Sequence, residues 1–190
     1  MEELFIITRN RYKKLEFQHL FKKYLPGTKI KFESLKFKEI CSLSQIANLK
    51  EKISSAYQKF KRPVLVDDTS IFINRYHDFP GTHNKWLIDS IGTDGLLRLI
   101  DDGDRASFQC FLGFYDGKAP IIFRGEINGI IKLNRKPLTK GLEYSAIFVP
   151  MGMKKPMANF YKSGEFFDSH RARAFKKLYL FLIKKYKVWG

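Results

Sequence analysis

The stretch that decides the fold runs from Pro63 to Thr69 and reads PVLVDDT. Its apolar residues, Val64 to Val66, predict a buried strand, and Asp67-Asp68 should lie at the carboxyl end of that strand. Ligands of open α/β sheets collect at that end. Two adjacent carboxylates repel each other, so beside a basic cleft a hard cation such as Mg²⁺ would hold them. An Asp-Asp-Thr-Ser turn that caps its own backbone explains the same residues equally well.

Strand and helix patterns alternate on the amino-terminal side of this stretch. Residues 3–8 predict a short buried strand, and a helix should begin at about Asn10. The apolar face of that helix consists of Phe17, Leu20, Phe21 and Tyr24. Pro26-Gly27 ends it, and residues 29–35 alternate as a second strand.

Further elements complete the pattern. Ser42 and Gln45 form a capping box, which predicts a second helix before Pro63. The apolar residues of that helix are Ile46, Leu49, Ile53, Ala56 and Phe60. Beyond the acidic pair, residues 106–115 alternate as a strand and turn back into 120–127 as a hairpin. Since a last amphipathic helix should begin at about Ser169, the sequence predicts an α/β protein with a mixed sheet.

Composition limits the classes of protein that fit. The 190 residues suit one domain, and 35 basic against 19 acidic residues give a net charge of 35 − 19 = +16. Such a charge favours polyanionic partners: nucleotides, nucleic acid or a membrane surface. Two cysteines without a CxxC motif argue against a zinc site or a disulfide framework. The first residues predict neither a signal peptide nor a membrane span, so a cytoplasmic protein is expected.

Two predicted helices begin with basic residues, although the N-terminus of a helix already carries partial positive charge. Arg11, Lys13 and Lys14 follow Asn10, although each exposed cation at a helix N-terminus is unfavourable by about 0.3–1 kcal/mol. A bound anion would reverse that effect, and we favour it because the helix directly follows a strand; side chains splayed into water are the simpler explanation. In the last helix, His170 and Arg171 occupy the first turn and could grip a base or a phosphate.

Eight short motifs follow one another along the chain. They are TRNRYK at 8–13, FKEI at 37–40, Lys52 fifteen residues before Asp67, VDDT at 66–69, FPG at 79–81 followed by Lys85-Trp86, FRGE at 123–126, IFVP at 147–150, and SHR at 169–171 followed by Ala174 and Leu178. In this order and spacing they resemble the inosine triphosphate pyrophosphatase family across nearly the whole chain. The resemblance implies the fold of that family, a mixed central β-sheet flanked by helices, bilobal with a cleft.

The resemblance also implies an activity, the hydrolysis of a nucleoside triphosphate to the monophosphate and pyrophosphate. In that family pattern Glu39 and Asp68 would hold Mg²⁺, and Asp68, supported by Asp67, would position or deprotonate the attacking water. The residues implied in triphosphate binding are Thr8, Arg9, Asn10, Lys13, Lys52 and Lys85. Those implied in base binding are Tyr144, Ser145, His170 and Arg171. A homodimer is implied as well.

The departures from the family pattern cluster in the base-binding half. Leu142 stands where the family has an aromatic residue, and Ser145 stands where it has an aspartate. Glu165-Phe166 replaces a Lys-Asn pair, and Arg9 replaces a glycine of the phosphate loop. The pyrophosphatase chemistry therefore transfers more completely than the identity of the base.

Two alternatives stay open. One is a non-catalytic nucleotide or nucleic-acid binder, which a charge of 10 − 2 = +8 in residues 151–190 favours. Glu39 and Asp67-Asp68 count against it, because carboxylates repel a polyanion unless a metal intervenes, so nucleic acid is not the preferred partner. The other is a pyrophosphatase for different nucleotides, as in the Maf-type proteins that share the architecture.

Overall fold

The computed structural model describes residues 3–37, 44–133 and 138–186. In these ranges the strands are β1 (Leu4–Ile7), β2 (Ile30–Glu33), β3 (Val64–Ile73), β4 (Phe79–Gly81), β5 (Arg105–Tyr115), β6 (Ile121–Ile131) and β7 (Phe148–Pro150). The helices are α1 (Arg11–Tyr24), α2 (Gln45–Phe60), α3 (Asn84–Leu99), α4 (Met157–Ser163) and α5 (His170–Tyr186).

The strands form one mixed sheet in the order β2-β1-β3-β5-β6-β7, and β4 pairs with β3 outside this path. β1 runs parallel to both β2 and β3. β4 runs antiparallel to β3, and β7 runs antiparallel to β6. The predicted α/β class with a mixed central sheet and flanking helices is confirmed.

The chain divides into two compact units. The first unit comprises residues 1–68, 110–125 and 168–190, and the second comprises residues 69–109 and 126–167. The single domain predicted over residues 1–190 stays a prediction.

The first unit places helices on both faces of its strands, because side chains alternate across a strand. One set of strand residues packs against α1 and α5; the cluster includes Leu4, Ile6, Leu65, Phe21 and Phe175. The intervening residues pack against α2; that cluster includes Phe5, Ile7, Val66, Leu49 and Ile53. Strands buried on both faces explain the continuous apolar run before the acidic pair.

Side-chain caps fix where the helices of the first unit begin. Asn10 accepts hydrogen bonds from the backbone N–H groups of Tyr12 at 2.9 Å and Lys13 at 3.3 Å, as the sequence predicts. Ser44 caps α2 by accepting from the N–H of Ala47 at 3.3 Å. The predicted cap, Ser42, lies outside the described residues, and Gln45 is the first residue of the helix.

The predicted end of the strand before the acidic pair is wrong. β3 continues through Asp67-Asp68 to Ile73, because Ile71–Ile73 pair with β4 and extend the ladder. The two acids therefore occupy the middle of a ten-residue strand. Since the backbone stays extended, the self-capping turn is excluded.

Gly125 of β6 explains one of the motifs. A Cβ atom at this position would lie 2.1 Å from the backbone oxygen of His170 and 2.4 Å from the backbone nitrogen of Ala174. Only glycine therefore lets α5 approach the strand this closely. The contact locates the first turn of α5, which carries His170 and Arg171.

The second unit contains the elements that the sequence patterns do not predict. Its α3 is interrupted at Gly92, whose φ of 67° lies in the left-handed region. That break removes a continuous apolar stripe, which is the usual signal for a helix. The short elements α4 and β4 carry too few residues for a periodic pattern.

Across the described ranges, no helix combines the length and the apolarity that a bilayer crossing requires.

Candidate active site

The Asp67 side chain lies at the centre of a buried ion network in the first unit, with 1% of its surface exposed. Lys13 Nζ forms an ion pair with it, and Arg171 Nε donates to Oδ2 at 2.6 Å. The thiol of Cys110, on the neighbouring strand β5, donates to the same oxygen at 3.2 Å. The carboxylate thus receives donors from α1, α5 and β5.

These partners keep Asp67 ionised. Burial by itself would raise the pKa of this carboxyl group, but the charges and hydrogen bonds of Arg171 and Lys13 outweigh burial and lower the pKa well below its usual range. A carboxylate this acidic does not accept a proton near neutral pH. Its position suits a fixed charge that orients Lys13 and Arg171.

Arg171 connects Asp67 to a second buried acid. Its side chain is 4% exposed and forms an ion pair with Glu16 of α1, while Ser169 Oγ donates to the same carboxylate. Ser169 also accepts from the N–H of Ala172 at 3.0 Å and so caps α5, which begins where the sequence predicts. One arginine therefore fixes α1 and β3 relative to the first turn of α5.

Sequence reasoning missed Glu16 and Cys110. The signal for Glu16 is its place on the buried face of α1, three residues after Lys13 and next to the buried Phe17. An acid inside an apolar stripe needs a buried cation. Cys110 gave no such signal, since a thiol on the apolar face of a strand is ordinary core packing.

His170 and Arg171, both predicted to hold the base, lie buried in the first unit. Burial, reinforced by the charge of Arg171, lowers the pKa of His170 well below its usual value. The imidazole is therefore neutral at physiological pH.

Asp68 points to the opposite face of β3 from Asp67, because neighbouring side chains of a strand alternate. Its carboxylate pairs with Lys52 of α2 at 2.5 Å and keeps 15% of its side chain exposed. Gln45 Nε2, also from α2, donates to the Asp68 backbone oxygen at 3.2 Å. Of the two acids, Asp68 is the accessible one, and the predicted lysine faces it.

The predicted phosphate loop surrounds the start of α1. Thr8 Oγ accepts from the N–H of Asn10 at 3.2 Å, which tightens the turn into the helix. Arg9 is exposed and reaches the Leu35 backbone oxygen at 3.5 Å. The simpler explanation, a Lys13 side chain splayed into water, is wrong. Lys13 pairs with Asp67, and this carboxylate offsets the unfavourable position of the cation at the helix start.

Candidate metal ligands are sparse in the described ranges. Within them, no group of three or more His, Cys, Asp and Glu side chains could hold a metal ion. Glu39, the predicted partner of Asp68 in metal binding, lies outside the described residues.

The second unit holds the remaining predicted residues. Lys85 pairs with Asp89 at 2.5 Å on the exposed face of α3. Tyr144 is buried and donates to the Asn84 backbone oxygen at 3.1 Å, and Ser145 is half-buried. Burial, with a smaller contribution from Glu143, raises the pKa of Tyr144 above its usual value, so the phenol stays protonated.

Comparison with known proteins gives the family. The family model described as the Ham1 family matches residues 4–181. The chain belongs to the Ham1 family. Similar proteins include a dITP/XTP pyrophosphatase of Saccharolobus solfataricus, 33% identical over 185 residues that cover 93% of this chain and 92% of that protein. An inosine triphosphate pyrophosphatase of Scheffersomyces stipitis is 33% identical over 138 residues, 70% of each chain.

Solved structures agree in fold. A Ham1 protein from Coxiella burnetii superposes with a TM-score of 0.73 at 24% identity and covers 97% of this chain and 100% of its own. The Staphylococcus aureus Ham1 protein gives a TM-score of 0.68 at 21% identity, with 97% and 100% covered. The family model and the similar proteins confirm the resemblance inferred from the eight motifs, and the solved structures confirm the fold.

Proposed function

We propose that this Ham1-family chain is a nucleoside triphosphate pyrophosphatase that hydrolyses noncanonical purine nucleotides such as ITP, dITP and XTP to the monophosphate and pyrophosphate. One observation carries the proposal: two adjacent acids of one strand face opposite sides, and each pairs with a lysine from a different helix. Lys13 contacts the buried Asp67 and Lys52 contacts the accessible Asp68. Such a set offers cations to a polyphosphate and one partly exposed carboxylate to a water molecule.

Asp68 is the residue that we assign to the water. Its carboxylate is partly exposed, so it can accept a hydrogen bond from the attacking water and take its proton as the new P–O bond forms. The bond between phosphorus and the bridging oxygen breaks, and the electron pair leaves with pyrophosphate. Asp67 does not compete for the proton, because Arg171 and Lys13 lower its pKa.

The triphosphate would meet fixed positive charge. Lys13 and Lys52 are held in place by Asp67 and Asp68, so little reorganisation is needed as charge develops on the leaving group. Thr8, Arg9 and Asn10 would supply further polar contacts at the start of α1. We assign Lys85 of the second unit to the same role.

The donor chemistry at Asp68 fits Mg²⁺. A partly exposed carboxylate is the hard oxygen ligand that this ion prefers, and we propose that Asp68 and Glu39 hold it. When bound, Mg²⁺ would neutralise phosphate charge and polarise the attacked phosphorus. Asp67 fits this role poorly, since Lys13, Arg171 and Cys110 already donate to its oxygens.

For the base, we keep Tyr144, Ser145, His170 and Arg171 as the proposed residues. Tyr144 is anchored to the Asn84 backbone by its hydroxyl group, so it would present its ring rather than its oxygen. Ser145 can donate or accept a hydrogen bond but carries no charge. Arg171 is engaged with Glu16 and Asp67, so we expect it to act mainly by keeping that network in place.

We further propose a cytoplasmic homodimer. A buried free thiol at Cys110 suits a reducing compartment. Exposed apolar side chains on α3, Trp86 at 62% and Ile91 at 40%, suit a contact with a second copy. Sedimentation at micromolar concentration tests the dimer, and a monomer across that range would contradict it.

The activity is tested with a panel of ITP, XTP, dUTP, GTP and ATP, with Mg²⁺ and with a chelator. We expect pyrophosphate as the released product and no turnover when the metal is removed. Orthophosphate as the first product would contradict a pyrophosphatase. A clear preference for a nucleotide other than ITP or XTP would favour the pyrophosphatase for different nucleotides, and binding without turnover would favour the non-catalytic alternative.

A further inference from the structure

The basic charge of this protein is concentrated in one unit. The first unit carries 24 basic and 10 acidic residues, 24 − 10 = +14, whereas the second carries 11 and 9, 11 − 9 = +2. Among the described residues of the first unit, seventeen Lys and Arg are exposed against two exposed acids, Glu51 and Asp168. Such an asymmetry is the electrostatic footprint of a polyanion partner.

Much of this charge collects where α1 packs on α5. Phe21 and Tyr24 of α1 contact Phe175 of α5 with ring centroids 4.8 and 6.1 Å apart. Several exposed residues near these rings, and one farther along α5, are basic. We call these six exposed residues the seam surface: Lys22, Lys23, Arg173, Lys176, Lys177 and Lys184.

The nucleotide substrate does not account for the seam surface. Lys22 lies nine residues beyond Lys13 on α1, about 14 Å along the helix axis, and Lys184 lies thirteen residues beyond Arg171, about 20 Å. Exposed charges farther apart than the Debye length, about 8 Å at physiological ionic strength, are largely screened from each other. Lys22, Lys23 and Lys184, at the far ends of the two helices, therefore contribute little to binding a triphosphate at Lys13 and Lys52.

We propose that the seam surface binds the phosphate backbone of double-stranded nucleic acid without reading its sequence. From Arg173 to Lys184 the helix spans eleven residues, about 17 Å, which matches about half a turn of duplex. A duplex carries one charge per roughly 1.7 Å of axis, so several phosphates face this row at once. This binding is independent of the proposed hydrolysis.

Two observations separate this partner from others. Single-strand binders stack bases on exposed aromatic side chains, and within the described part of the first unit no Phe, Tyr or Trp is exposed. A membrane-surface helix inserts its apolar face into lipid. The apolar face of α5 is already packed in the core through Phe175, Leu178 and Leu182, and among its described residues Leu180, 60% exposed, is a single large apolar side chain on the outer face.

The test compares two variants that lose four charges each. The seam variant replaces Lys22, Lys23, Lys177 and Lys184 by Gln; Arg173 and Lys176 are kept because both pair with Asp168. The control variant replaces four exposed lysines of the second unit by Gln: Lys132, Lys140, Lys154 and Lys155. Binding of a 30-base-pair DNA and an RNA duplex is followed by fluorescence anisotropy across a salt series.

For the seam variant we expect Kd to rise at least tenfold and the slope of log K against log salt to shrink by about 2 or more, since each lost phosphate contact removes about 0.9. The control variant should change Kd less than threefold. A third variant with Arg at the four seam positions should bind as the unaltered protein does, which distinguishes lost charge from a damaged fold. The DNA and RNA arms show which duplex is preferred.

Several results would overturn the proposal. These are no duplex binding at about 100 mM salt, an equal loss in the control variant, or tighter binding to vesicles with 30% anionic lipid than to duplex. ITP hydrolysis by the seam variant should stay within twofold of the unaltered protein. A larger fall, with the Arg variant restoring it, would mean that the surface serves the nucleotide instead.

Discussion

The two units of this chain use ion pairs differently. In the first unit Arg171 is 4% exposed and joins two buried acids, Glu16 and Asp67. In the second unit Arg75 is 41% exposed and pairs with Asp101 and Asp104 at the surface. A guanidinium–carboxylate pair holds side chains firmly in place where water is excluded, as around Arg171. The same pair contributes little to stability where water screens the charges, as around Arg75.

The largest expected difference is in stability. Arg171→Met would leave Glu16 buried without its cation and Asp67 with Lys13 alone, so the free energy of unfolding should fall by about 3–5 kcal/mol. Arg75→Met should lower it far less, because the pair with Asp101 is exposed and screened by water. Urea denaturation of both variants measures the contrast. Equal small losses would show that the Arg171 network is hydrated in solution.

The next effect is on turnover. Asp68→Asn should lower kcat by about 100-fold or more, as expected when a proton acceptor and metal ligand is lost, while the isosteric change preserves the fold. Glu51→Gln removes an exposed acid of the same unit and serves as the control, with unchanged kcat. If Asp68→Asn turns over normally, Asp68 has a purely structural role.

Lys13→Ala should weaken the binding of ITP about tenfold or more and leave the binding of inosine unchanged. The reason is that charge-assisted hydrogen bonds to the phosphates contribute about 1.5–3 kcal/mol. Because Lys13 pairs with Asp67, the expected effect of Lys13→Ala on the stability of the free protein changes sign. Removing a cation from a helix start would stabilise the free protein, but here Asp67 loses a partner, so the variant should be less stable. Calorimetry with ITP and inosine tests binding; equal losses for both ligands would place Lys13 away from the phosphates.

The depressed pKa of Asp67 predicts a pH effect with a definite sign. A carboxyl group whose pKa is lower in the folded state stabilises the fold above its unfolded pKa of about 3.9, and this stability is lost as the pH falls further. The slope of unfolding free energy below pH 4 should therefore be shallower in Asp67→Asn, by up to about 1.4 kcal/mol per pH unit. Denaturation between pH 5 and 3 checks this, and identical slopes would mean that Asp67 is not ion-paired.

The smallest effect concerns the second unit and the base. Ser145 lacks the charge of the aspartate in the family pattern, and Leu142 is a core residue, 4% exposed, without the stacking geometry of an aromatic ring. We expect less than about tenfold preference for ITP or XTP over GTP, about 1.4 kcal/mol. Steady-state kcat/KM values decide it. A preference above about a hundredfold would show that other side chains, such as Glu143 or Tyr144, have rebuilt the pocket.

Much of the first unit could be predicted because its signals are local. Asn10 before a helical stripe, the apolar run at Val64–Val66 and the part of the alternating strand that lies in this unit, residues 110–115, each depend on near neighbours in sequence. The second unit gave weaker signals. A break at Gly92 and elements as short as β4 and α4 leave no period to detect.

The sequence by itself determined the family, the mixed sheet and the acids and lysines of the proposed site, because short motifs keep their order and spacing whatever the tertiary packing. Only the tertiary structure decided what each residue does. Asp67 and Asp68 are neighbouring residues of the same type. Because side chains alternate along a strand, Asp67 is buried beside Arg171 whereas Asp68 stays partly exposed beside Lys52. Glu16 and Arg171 lie 155 residues apart, and no local pattern could pair them. Burial and long-range charge, which set pKa and accessibility, are properties of the folded chain.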